Sequence, residues 1–175
     1  MPIHRYRDQL PRLGERVFLA PTAHLIGDIE VGDDCSFWFS TAARGDVNRI
    51  RIGVRTNVQD GTILHVTHET HPLAIGDDVV IGHSCTIHGC TLESGCLIGI
   101  GARVLDGAVV ETGAMVAAGA LVPPRMRVTS GMLALGTPAK LVRALSEGER
   151  AEIAAIAARY VAVKDAYLAE LGRGY

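Results

Sequence analysis

A six-residue beat restricts this chain more than any other feature. Apolar side chains fall at Leu19, Leu25, Val31, Phe37 and Ala43, then after a three-residue slip at Ile52, Val58 and Leu64. A five-residue loop precedes Ile75, Ile81 and Ile87; one residue is dropped, and the beat continues at Leu92, Ile98, Val104, Val110, Val116 and Val122. All seventeen positions are apolar. A helix buries a stripe with a period of about 3.6 residues and a half-buried strand alternates with a period of about 2. Neither produces six over about a hundred residues. A β-solenoid does: each hexad supplies a short strand and a corner, three hexads make a triangular coil, and coils stack at the strand spacing of about 4.8 Å. The fourth residue after a beat is usually small, as at Cys35, Thr56, Thr62, Val79, Cys85, Cys96, Ala102, Ala108, Ala114 and Ala120. A second inward position at a tight corner requires this, and it gives three of the four cysteines a packing role.

The repeat ends at Pro123-Pro124, and residues 125–145 read as a turn and connecting strand. Ser146 followed by Glu149 is a capping-box signature. Ile153, Ile156, Tyr160, Val163, Tyr167 and Leu171 then recur at helical spacing until Gly172. The expected organisation is an all-β solenoid domain over 1–145 with a short N-terminal arm, and a C-terminal α-helix over 146–172 packed on it. With 48% apolar residues in a chain of 175, the core needs no disulfide staple. Seventeen basic residues against nineteen acidic ones, with no basic run, argue against nucleic acid or an anionic membrane as partner. The N-terminal MPIHRYRDQLPRLG has no apolar core, and the most apolar stretch, 107–123, is broken by Glu111 and glycines. Neither a signal peptide nor a membrane span is expected. Without a CxxC pair the four cysteines read as reduced thiols, and the reading is a cytoplasmic protein.

The beat also places side chains. Residues one coil apart lie on one face and point the same way. Beats Ala43, Leu64 and Ile87 share a face, so Arg44, His65 and His88 form one outward column, continued by Leu105. Beats Val58 and Ile81 share the neighbouring face, and Asp60 and His83 form a second column near a corner. Two stacked imidazoles can both reach one metal ion at the usual zinc distance of about 2.1 Å. His83 can join them only from an adjacent copy in a cyclic trimer. The alternatives are three solvent-facing histidines, or a cluster in the inserted loop, where His65, His68 and His71 are spaced H-x-x-H-x-x-H. His4 and His24 stand alone in the sequence.

The segments RGDVN (44–48), IGVRTNVQDGTILH (52–65) and IGHSCTIHGC (81–90) resemble the γ-class carbonic anhydrase family of the hexapeptide-repeat superfamily. The likeness covers nearly the whole chain. It implies a left-handed parallel β-helix, although general crossover rules favour the right hand. It implies a homotrimer with metal sites between subunits, His65 and His88 coming from one chain and His83 from the next. The metal is zinc, or ferrous iron, which imidazole suits equally, and the reaction is reversible hydration of carbon dioxide to bicarbonate. By the same resemblance Gln59 orients the attacking oxygen with Asn57 nearby, and Arg44, Asp46 and Asp60 form an ionic network at the interface. Two glutamates of the long-loop branch are missing. Val47 follows Asp46, and the loop VTHETHPLA holds Glu69 as its only acid. The chain therefore resembles the short-loop branch, with weaker expected activity, and Tyr160, then His68, are the candidate proton carriers. Two other classes fit parts of the sequence: a coenzyme A-dependent acyltransferase, suggested by GTPAK at 136–140, and a non-catalytic metal-stabilised trimeric scaffold.

Overall fold

The computed structural model describes residues 2–172, which wind into a left-handed parallel β-helix of about seven turns followed by one helix. All seventeen beat residues are buried, none more than 5% exposed, and so are the small residues at the second inward positions. Each Val, Leu or Ile so buried contributes about 1.5–3 kcal/mol against solvent exposure. Burial raises the thiol pKa of Cys35 to about 12 and pushes up those of Cys85, Cys90 and Cys96 as well. None is a thiolate nucleophile at neutral pH.

Hydrogen bonding along the axis makes two sheets. The eight-stranded sheet covers one face and ends in an antiparallel hairpin of Met132–Gly136 with Ala139–Ala144. The twelve-stranded sheet wraps the other two faces, because His24–Val31 and Ala42–Ile52 run round a corner without a break. The three-residue slip in the beat is a bulge in this pair, where the register jumps from Gly27 opposite Gly45 to Ile29 opposite Ile50. Gly27 has φ 82°, and a Cβ there would lie 2.4 Å from the Gly45 carbonyl oxygen. Only glycine permits that approach. Gly27→Ala is expected to cost about 1–3 kcal/mol, measured by urea unfolding; an unchanged midpoint would show that the bulge yields freely. The dropped residue after Ile87 is a sharp corner at Gly89, φ 51°, and the inserted loop closes on a bridge between Thr67 and His71.

The helix spans Glu147–Leu171, and both bonds of the capping box form: Ser146 Oγ accepts from Glu149 N at 3.2 Å and Glu149 Oε2 accepts from Ser146 N at 2.8 Å. It packs on the eight-stranded face, where Tyr160 and Tyr167 meet Trp38 edge-on at 5.7 and 5.0 Å. The seam differs from the apolar stripe expected. Ile153, Ala157 and Lys164 are buried, whereas Val163 and Leu171 are exposed. An apolar count passes over alanine and over a lysine whose stem packs while its charge finds a partner. Lys164 is fully buried, with Nζ 2.9 Å from Asp34 Oδ1 and also paired with Asp165. Asp34 accepts the Arg16 fork as well, from Nε at 2.9 Å and Nη2 at 2.6 Å. The Arg16 bonds first, then Lys164 against the opposing effect of burial, hold the Asp34 carboxyl at about 2. No helix among the described residues is long and apolar enough to cross a membrane.

Candidate functional site

The stacking of coils assembles the first cluster. Leu64 and Ile87 are cross-strand partners, which sets His65 directly beside His88 on the outward side of the twelve-stranded sheet. Their ring centroids are 5.1 Å apart, and His65 Nδ1 faces His88 Nε2 at 3.1 Å. The other nitrogen of each ring meets a carboxylate: His65 Nε2 lies 3.1 Å from Asp46 Oδ1, and His88 Nδ1 lies 2.6 Å from Asp106 Oδ1. The bulge delivers Asp46, which also pairs with Arg44. Asp106 Oδ2 accepts from Thr67 Oγ1 at 2.7 Å. Burial works to raise both carboxyls, but hydrogen bonds from His65 and Arg44 leave Asp46 lowered, and those from His88 and Thr67 leave Asp106 lowered.

A second cluster sits at the neighbouring corner. His83 Nδ1 is 2.8 Å from Asp60 Oδ2, and Asp60 Oδ1 accepts from the Phe39 backbone N–H at 3.2 Å. Asn57 and Gln59 are buried, and Gln59 Nε2 donates to Asn57 Oδ1 at 3.1 Å. Asn57 Nδ2 is buried with no partner among the described residues. Tyr160 is half-buried on the helix; burial, then the charge of Asp60, raises its phenol, so it stays a neutral donor at neutral pH. Within one chain, no three His, Cys, Asp or Glu side chains converge as a metal-holding set among the described residues. Arg44 and Asp46 stand with His65, while Asp60 stands apart with His83. His68 is exposed near Glu69, and His71 turns to Thr70 Oγ1 at 2.9 Å. His4 and His24, isolated in the sequence, face each other at 2.9 Å.

The His65–His88 pair has the chemistry of a cation site. An ionised carboxylate only accepts hydrogen bonds, so each ring carries its N–H on the side of its carboxylate. With both rings neutral, two lone pairs are left facing each other at 3.1 Å, a repulsive arrangement that a proton or a metal cation between them relieves. Two imidazoles on one tetrahedral ion with bonds of about 2.1 Å hold their nitrogens roughly 3.4 Å apart, which is close to this spacing. Asp106 and Thr67 were not legible as site residues. The only sequence signal is a lone acid within the apolar run LDGAVV (105–110) one coil after His88.

The coils, small corner residues and paired imidazoles define a hexapeptide-repeat β-helix protein with a histidine-rich face. No protein-family model matches the chain. It is 46% identical over 169 residues to protein YrdA of Escherichia coli, covering 93% of this chain and 92% of YrdA. A carbonic anhydrase of Geobacillus kaustophilus is 39% identical over 159 residues, covering 91% and 87%. Gamma carbonic anhydrase 1, mitochondrial, of Arabidopsis thaliana is 44% identical over 168 residues, covering 93% of this chain and 61% of that protein. The crystal structure of a hexapeptide transferase family protein from Anaplasma phagocytophilum matches with TM-score 0.90 at 38% identity, covering 95% and 98%. The chain belongs to the γ-class carbonic anhydrase family.

Proposed function

We propose that this protein is a metal-dependent carbonic anhydrase that reversibly hydrates carbon dioxide to bicarbonate, working as a homotrimer with its sites between subunits. The observation that carries the reading is the His65–His88 pair, two ring nitrogens facing each other on the outward side of the sheet with each ring held by its own carboxylate. His65 and His88 of one copy, with His83 of the next, would hold zinc or ferrous iron; Asp60 takes His83 Nδ1, and Nε2 has no partner among the described residues. Such an ion, when bound, supplies Lewis acidity that brings the pKa of water towards about 7. Gln59, its amide donating to Asn57, has a side-chain carbonyl oxygen without a partner among the described residues, able to accept a hydrogen bond from a proton-bearing oxygen and orient it. Asn57 Nδ2 is a buried donor awaiting an acceptor, which a substrate oxygen would supply. Arg44 and Asp46 hold the His65 ring. Tyr160, beside Asp60, and the exposed His68 are the groups proposed to pass protons to solvent.

Exposed apolar side chains support the trimer. Ile63, two residues before His65, is 43% exposed, and Ile100, on the column above His83, is 57% exposed. An interface joining the two faces would bury both. Purified protein is expected to hold about one zinc or iron per chain and to accelerate carbon dioxide hydration in stopped flow, more so after anaerobic preparation if the ion is iron. Protein without metal and without hydration activity would refute the reading. The acyl-transfer alternative rests on the transferase family of the Anaplasma protein and the turn at 136–140. Heat on titrating acetyl-CoA, together with no hydration, would select it instead.

A further inference from the structure

We infer that Asp106 is the positioning residue of His88: its carboxylate fixes the imidazole with the proton on Nδ1 and turns a bare Nε2 towards His65, while Thr67 ties that carboxylate to the inserted loop. None of the motifs that mark the family contains Asp106. Three observations carry the inference. The contact is short, 2.6 Å from Asp106 Oδ1 to His88 Nδ1. The second oxygen is engaged too, by Thr67 Oγ1 at 2.7 Å, and the Thr67 backbone N–H closes the inserted loop onto His71 O at 3.0 Å. The backbone beside His88 is also cleared for this contact. Gly89 adopts φ 51°, and a Cβ there would lie 2.5 Å from Asp106 Oδ1 and 2.8 Å from the His71 side chain.

The register explains why this group escapes a column count. Ile87 pairs with Val104, so Leu105 is the residue stacked on His88, and Asp106 lies one step further, at the corner. From there it reaches back past the glycine. A neutral imidazole carries one N–H, and whichever nitrogen meets an acceptor-only carboxylate keeps it. Asp106 thereby decides which nitrogen of His88 has a lone pair to offer. Carboxylate partners of this kind fix ring orientation and typically govern metal affinity about 10- to 100-fold.

The metal arm of this proposal rests on the carbonic anhydrase reading; the tautomer arm does not. In metal-free protein at alkaline pH, where imidazole is neutral, nitrogen–proton correlation spectra of the histidine rings should show His88 wholly as the Nδ1–H form. Asp106→Ala should shift a large share of it to the Nε2–H form. Asp106→Asn, whose carbonyl still accepts from Nδ1 while its amide donates to Thr67, should restore the parental tautomer. Zinc affinity by chelator competition should fall about 10- to 100-fold in Asp106→Ala and by less in Asp106→Asn, with the metal-free melting temperature close to the parent's. An Asp106→Ala protein that keeps the Nδ1–H form, or binds zinc as tightly as the parent, overturns the inference. If the parent binds no zinc, the carbonic anhydrase reading fails and the tautomer alone decides this one. If Asp106→Ala does not fold, Thr67→Val takes its place. Loss of that one hydrogen bond should weaken zinc binding about two- to tenfold, and no change in affinity or tautomer would overturn the proposal.

Discussion

His88→Ala and His83→Ala should each lose nearly all bound metal and more than about 100-fold in carbon dioxide hydration, yet an equimolar mixture of the two, after subunit exchange, should regain about a quarter of parental activity. Each variant alone lacks one ligand in every site. In a mixed trimer, a site is complete when a chain with intact His65 and His88 meets a neighbour with intact His83. Random assembly gives that arrangement about one time in four. The arithmetic depends on His83 standing away from the other two, as it does here on Asp60 at the next corner. Hybrid trimers verified by mass spectrometry but lacking metal and activity would show that the third ligand is not His83 of a neighbour.

The largest expected effect on stability comes from the helix seam. Asp34→Asn leaves the fully buried ammonium of Lys164 with only Asp165 beside it, and should cost about 3 kcal/mol or more in chemical unfolding. Lys164→Met removes the charge along with its desolvation and should cost far less, or stabilise. Equal losses in the two variants would mean that the pair is attractive in its own right. The same carboxylate sets an acid limit. Its folded pKa, about 2, lies below the ordinary aspartate value of 3.8. Its contribution is therefore full above about pH 4 and fades as pH falls towards 2. Lys164→Met should show a shallower loss of stability over that window.

The coil architecture was open to reading because one constraint repeats: every sixth residue must be apolar and the corner beside it small. That rule alone places His65 beside His88 and sets His83 on the next face. It works only for side chains that point straight out of a stacked strand. Asp106 leans back from a corner, and its contact depends on the glycine next to His88, so stacking alone suggests Leu105. Lys164 was missed for a different reason. A charged residue at a helical seam looks like solvent-facing surface until its acceptor, 130 residues earlier in the chain, is brought to it. The three breaks in the beat look like irregularities in the sequence, yet all three shape the first cluster: the bulge presents Asp46 to His65, the inserted loop brings Thr67 to Asp106, and the shortened corner admits Asp106 to His88.

The hairpin at the end of the eight-stranded sheet has a bearing beyond this one molecule. A stack of parallel coils offers the same unpaired edge at its last turn as at every earlier one, a template on which another chain could continue the stack. Here the chain doubles back, and Ala139–Ala144 runs antiparallel against Met132–Gly136. On the eight-stranded face the last strand therefore no longer matches the parallel first strands of a second copy. End-to-end growth into a fibre is disfavoured on that face, in keeping with the lateral homotrimer proposed above.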